Sequence, residues 1–289
     1  FETDTVTFAL DPEAVTLALG ATQQFTRTGG TPPVVFSLVQ NQSGGNVDAS
    51  GLYTAGPNVG IDIVRVTDED DATADASVRV SSDISCPDAN TKVWDGGGDT
   101  NNWSEAANWC NNTVPTTHHS IIFNATSIKN LNINTNVTVA SANITSLYTG
   151  TITQGTSNLN VTFSFTQAGG TFVAGSGSIT VGTTHSHAGG TFSGGFGGLD
   201  IEGGFDISGG TFNAPMGEAF FGAPYFQVTG GTFNPNGGTI VFDGGLTNFT
   251  IPTTFTLNNV TVNKSSSLRF TTNSSTLVVT GTLTLTNGS

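Results

Sequence analysis

The sequence predicts an all-β chain. An N-terminal β-sandwich over residues 1–83 leads, through a linker and cap over 84–117, into a parallel right-handed β-helix over 118–289. Three observations carry this. Gly169-Gly170-Thr171-Phe172 returns as Gly189-Gly190-Thr191-Phe192, Gly209-Gly210-Thr211-Phe212 and Gly230-Gly231-Thr232-Phe233, at spacings of 20, 20 and 21 residues. Between the copies, apolar and polar residues alternate with period 2. Nothing in the 289 residues reads as a long amphipathic helix. A fixed period near 20 residues is the mark of a solenoid in which each copy is one coil stacked on its neighbours.

Within the repeat, aligning on the double glycine puts Leu159, Ile179, Leu199 and Phe220 in one column. Val161, Val181 and Ile201 form a second, and Phe165, His185, Phe205 and Phe226 a third. Asn160, Thr180 and Asp200 lie between the first two, so these segments are short strands with one buried face. The double glycine lets the chain turn a corner, because glycine accepts positive φ without steric cost. Phe172, Phe192, Phe212 and Phe233 are expected to stack along the axis, inside the coil or along one corner.

Composition bounds the function. The net charge of −14 is concentrated at the front: residues 1–83 carry 12 acidic and 3 basic side chains, residues 118–289 only 5 and 3. That disfavours nucleic acid and anionic membranes, which need clustered Lys and Arg. No run of 18 apolar residues predicts a membrane span. The nearly uncharged Thr, Asn, Ser and Gly surface of the solenoid suits packing against copies of itself, binding glycans or bearing them. The start at Phe1 rather than Met suggests a removed signal segment or a fragment, and the coil-like end suggests a longer parent chain.

Residues 1–83 hold alternating runs at 6–10, 15–19, 23–27, 34–38, 61–66 and 76–80, separated by Gly29-Gly30, Gly44-Gly45, Gly51 and an acidic turn, which reads as a sandwich. Leu19-Gly20-Ala21-Thr22-Gln23-Gln24-Phe25, Gly29-Gly30, the stretch from Ser43 through Asp48-Ala49-Ser50-Gly51-Leu52-Tyr53-Thr54-Ala55-Gly56, and Val64-Arg65-Val66-Thr67-Asp68 resemble bacterial Ig-like domains. These occur in tandem on cell-surface proteins, and the resemblance implies an extracellular spacer or adhesive module. Asp68, Asp70 and Asp71 could supply hard oxygen ligands to calcium. Their spacing matches no known calcium loop, and a solvated hairpin tip is the plainer reading.

All three tryptophans, Trp94, Trp103 and Trp109, fall in the 16 residues before Cys110. The stretch Trp94-Asp95-Gly96-Gly97-Gly98-Asp99-Thr100-Asn101-Asn102-Trp103 through Asn108-Trp109 resembles the opening signature of β-solenoids in secreted bacterial surface proteins and autotransporter-like passengers. The Gly-Gly-Thr-Phe coils and Asn258-Asn259-Val260-Thr261-Val262-Asn263-Lys264-Ser265 extend the likeness over about 92–289. A first coil exposes apolar surface and open strand edges, so the tryptophans are expected to cap it. The alternative is an aromatic cleft stacking on sugars. Cys86 and Cys110 bracket the segment and are expected to form a disulfide, consistent with an oxidising, extracellular location. Two thiols are too few for a structural zinc site without histidine.

His185 and His187 could place both rings on one strand face, open to a metal. Yet His185 occupies a phenylalanine column, so a histidine accommodated in the stack is the expectation. His118 and His119 read as surface residues. Asp200 and Glu202, with Asp206 nearby, are the best catalytic carboxylates. Neighbouring coils put Thr180, Gly182, Asn160 and Thr162 in their columns, and no basic residue converges on them. Catalysis is therefore not expected, nor is a cofactor, calcium being the one weak candidate. Asn-X-Ser/Thr triplets begin at Asn41, Asn102, Asn111, Asn124, Asn136, Asn143, Asn160, Asn248, Asn259, Asn263, Asn273 and Asn287, so glycosylation is permitted.

The functional expectation is a structural subunit of an extracellular cell-surface fibre, sheath or appendage, self-assembling with copies of itself. Leu283 and Leu285 in the last coil, and Phe1, Val6 and Phe8 at the front, are the candidate contacts. A surface adhesin or carbohydrate-binding module is the second reading, and a polysaccharide-active β-helix enzyme the third.

Overall fold

The structure, a computed structural model, describes residues 7–81, 86–222, 224–244, 247–263, 268–270 and 275–286. From Thr91 onward the chain is a parallel β-solenoid of about 7 turns, at about 21 residues per turn. Most coils contribute one short strand to each of three sheets; in the last coils, Thr254–Leu257 and Thr276–Val279 pair in a separate two-stranded parallel sheet. The first sheet has 9 strands from Thr91–Val93 to Leu268–Phe270, including Phe165–Gln167, His185–His187, Phe205–Ile207 and Tyr225–Val228. The second has 6, from Leu131–Asn132 to Thr232–Asn234, and carries the Thr-Phe repeats. The third has 8, from Val137–Val139 to Leu283–Thr286.

The registers explain the sequence columns. Phe165 pairs with His185, His185 with Phe205 and Phe205 with Phe226. Phe172, Phe192, Phe212 and Phe233 stand in line on the second sheet. Their rings stack inside the coil, with centroids 5.3 Å apart for Phe172–Phe192 and 4.6 Å for Phe192–Phe212. The corner between the first and second sheets is the double glycine, whose second member has positive φ in all four repeats. A Cβ at Gly190 would lie 2.4 Å from the carbonyl oxygens of Gly169 and Gly170 in the coil below. Glycine is required there twice over, by φ and by space.

Phe220 does not share the column of Leu159, Ile179 and Leu199. In strand Glu218–Phe221, Ala219 pairs with Leu199, Phe220 with Asp200 and Phe221 with Ile201. Ala219 and Phe221 are buried, and Phe220 faces outward. The extra residue of the 21-residue spacing enters after this strand, where Phe221 to Phe226 takes one residue more than Ile201 to Phe205. A slip of one residue exchanges the faces of a strand.

The N-terminal unit has a separate core of Leu10, Phe25, Tyr53, Val64, Val66, Val78 and Val80. A four-stranded sheet runs in the order Ala14–Leu17, Thr73–Val80, Gly60–Thr67, Val35–Asn41, parallel in its first pair and antiparallel in the others. Thr22–Gln24, Leu52–Thr54 and Asn46–Val47 form a three-stranded antiparallel sheet. Ala9–Asp11 pairs with Thr26–Thr28. Asp62 is buried at the heart of this unit. Its carboxylate accepts from the Ser43 hydroxyl at 2.6 Å, the Ser43 N–H at 2.8 Å and the Tyr53 hydroxyl at 2.5 Å.

Candidate functional site

The two ends of the solenoid differ, and the cap end is closed. Trp94, Trp103 and Trp109 are all buried in the solenoid core. Trp109 lies at its centre, with ring centroids 5.2 Å from Trp94, 4.6 Å from Trp103 and 6.0 Å from Phe123. Both fully enclosed indoles have hydrogen-bond partners: Trp94 Nε1 donates to the Lys129 carbonyl at 2.9 Å and Trp109 Nε1 to the Trp103 carbonyl at 2.8 Å. The glycan-contact reading of these three residues is thereby corrected, because enclosed rings have no free face to lay on a sugar. The Cys86–Cys110 disulfide joins the start of the segment to its end, as expected from the sequence.

The polar part of the cap is organised by two residues that sequence reasoning passed over. Buried Asn108 donates to the carbonyls of Thr100 and Asn102, each at 3.0 Å, and accepts from the Gly98 N–H at 3.0 Å. Lys129 reaches in from the next coil. Its Nζ donates to the carbonyls of Gly96 at 3.1 Å and Gly98 at 2.5 Å, and to Asn108 Oδ1 at 3.3 Å. An ammonium has three donors, and all three are used. Burial lowers the Lys129 pKa, while Glu105, Asp99 and Asp95 oppose that shift. Lys129 thus sits in a nest of carbonyls, with Glu105, Asp99 and Asp95 nearby favouring its charge. Glu105 closes the turn by accepting the N–H groups of Asp99 and Thr100, each at 2.8 Å.

Strand Leu283–Thr286 is paired along one side only, with Val260 opposite Leu283 and Val262 opposite Leu285. Those two valines are 1 % and 9 % exposed, whereas Leu283 and Leu285 are 55 % and 65 % exposed. The leucines stand in a core column that no described residue covers. Phe8, a candidate at the front, instead packs on the core of its own unit with its ring over Gly30. Phe1 and Val6 lie outside the described residues.

The remaining candidates do not converge. The Asp68 carboxylate accepts the N–H groups of Thr31, Asp70 and Ala72, and Asp70 accepts from the Thr31 hydroxyl. Asp71 stands at φ 62 in that turn. No group of three or more potential metal ligands occurs among the described residues. Asp200 points outward from the third sheet and Asp206 from the first, so they look out from different faces. Burial raises both pKa values, with Glu202 and Asp243 adding to the shift at Asp200. Of the solenoid's basic residues, Lys129 is committed to the cap. His118 is exposed, and His119 Nδ1 accepts the Thr116 N–H at 2.9 Å. Among the acceptor asparagines, Asn136, Asn143 and Asn160 are exposed, while Asn273 and Asn287 lie outside the described residues. Comparison of the chain with protein-family models, with curated proteins and with solved structures gives no match.

Proposed function

We propose that the chain is a structural subunit of an extracellular cell-surface fibre or sheath, in which the open end of one solenoid meets another copy and the N-terminal Ig-like unit acts as a spacer. The observation that supports this most directly is strand Leu283–Thr286, which among the described residues is paired on one side only and carries two exposed leucines, the arrangement that strand addition uses. The first coil, by contrast, is covered by three tryptophans and a disulfide. The sparsely charged flanks between them add no electrostatic barrier to packing. No described helix is long and apolar enough to cross a membrane.

Electron microscopy of the purified chain at micromolar concentration tests the reading. Fibres with an axial repeat of one subunit are expected for the native chain, and dispersed particles for Leu283→Lys/Leu285→Lys. Native particles that stay single across a concentration series, or fibres that persist in the double variant, would overturn it.

A further inference from the structure

The solenoid interior contains one chemically discordant place. Strand His185–His187 turns both of its histidines inward, and both are 0 % exposed. His185 sits among Phe165, Phe192, Phe205 and Phe212, with ring centroids 5.0, 5.8, 5.7 and 5.5 Å away. His187 packs edge-on to Phe212 at 5.8 Å. Neither ring nitrogen of His185 has a hydrogen-bond partner; at His187 the backbone of Gly190 and Thr211 comes close enough to favour the protonated ring, without a well-aligned hydrogen bond. Among the described residues the rings packed on the two histidines are phenylalanines and each other, the imidazole centroids lying 6.3 Å apart. Asp200 and Asp206, on adjoining strands, point to the outside of their sheets.

Neighbouring coils show what the position otherwise holds. In the His185 register stand Phe165 and Phe205, and in the His187 register Gln167 and Ile207. Gln167 donates through its amide nitrogen to the carbonyls of Gly169 at 3.2 Å and Thr191 at 3.0 Å, while its amide oxygen, like the His185 nitrogens, has no partner.

We propose that the His185–His187 pair is an acid latch in the middle of the solenoid: the coils around it hold together while both rings are neutral and come apart when they take up protons. A charge in an apolar interior with no counter-ion is expelled or unfolds its surroundings. Because the coils are stacked in one dimension, failure at one coil separates the two halves.

The sign follows from linkage. Burial depresses the folded pKa to about 3 for His185, where the charge of His187 adds to the effect. For His187 it is depressed to about 4, with the carbonyls of Gly190 and Thr211 opposing. Unfolded histidine titrates near 6.5. Stability is therefore complete above about pH 6.5 and falls as the pH drops from there toward the folded values. At pH 4.5 the unfolding equilibrium constant rises by about 100-fold for each histidine.

The test is equilibrium unfolding of the full chain in urea at pH 7.5 and pH 4.5, beside His185→Phe/His187→Gln, which installs what Phe165 and Gln167 already are. The native solenoid transition is expected to move to much lower urea at pH 4.5, and that of the variant to move far less. An equal shift in both proteins would overturn the proposal. Should the variant fail to fold, NMR of the native chain decides. Two imidazole C–H signals that hold their neutral positions down to pH 5 support the latch. Four ordinary titrations near pH 6.5 refute it.

Discussion

The N-terminal unit and the solenoid bury polar groups in opposite ways. In the N-terminal unit, Asp62 is enclosed, and burial alone would push its carboxyl up. The hydrogen bonds from Ser43 and Tyr53 nevertheless hold it below the usual carboxylate range. In the solenoid, His185 and His187 are equally enclosed, His185 has no partner, and burial drives both to the neutral form. Lys129 at the cap follows the first pattern, with every donor used. A strand pleat decides which residues point inward before it decides whether they find partners. Turns, which can bend a backbone N–H or carbonyl toward a side chain, supply partners that a straight ladder of strands does not.

Four measurements sharpen or break this contrast. The largest effect belongs to Trp109→Ala, which empties the centre of the cap. It is expected to cost the solenoid transition roughly 3–5 kcal/mol in urea and to leave the N-terminal transition in place. A matching loss in both would show that the two cores unfold as one. Next is Asp62→Ala, which strands the Ser43 and Tyr53 hydroxyls in the N-terminal core at a cost of about 3 kcal/mol, read from the N-terminal transition alone. Reduction of Cys86–Cys110, which closes a loop with a sequence separation of 24, is expected to cost the cap about 3 kcal/mol. Thermal melts with and without reductant measure it, and an unchanged midpoint would show that the tryptophans alone hold the segment.

The last measurement separates acid windows. Asp62 has a depressed folded pKa, so its contribution is present above the unfolded value near 3.9 and is lost as the pH falls through and below it. The solenoid, through its histidines, is expected to weaken from about pH 6.5 downward. During acid titration, tryptophan fluorescence, which reports the solenoid alone because all three tryptophans lie in its cap, is expected to change at higher pH than the remaining circular dichroism transition. The reverse order would break the comparison.

The repeat from Gly169 to Phe233 made the solenoid legible, because a stacked coil imposes its period on every residue it buries. The inward Phe172–Phe233 line, the placement of His185 in a phenylalanine column and the glycine corners follow from that period and from the alternation of strands. Phe220 was misplaced where the period slipped by one, since the position of the inserted residue cannot be counted from a repeat alone. Two strands, Asn46–Val47 and Leu52–Thr54, were too short to show an alternation. The Asp62 network was hidden because Ser43, Tyr53 and Asp62 are far apart in sequence and meet only when the sheets pack. The one signal for it was a lone acidic residue inside the apolar run Ile61–Val66.

By itself, then, the sequence determined the all-β class, the coil length and the residues of the inner columns, since periodicity is a local property of the chain. Tertiary structure decided the rest. It enclosed the tryptophans rather than displaying them, seated Lys129 in a nest built by a distant turn, and buried two histidines among phenylalanine rings. Each of those outcomes depends on which groups arrive from other coils, and a one-dimensional pattern carries no record of what stands opposite.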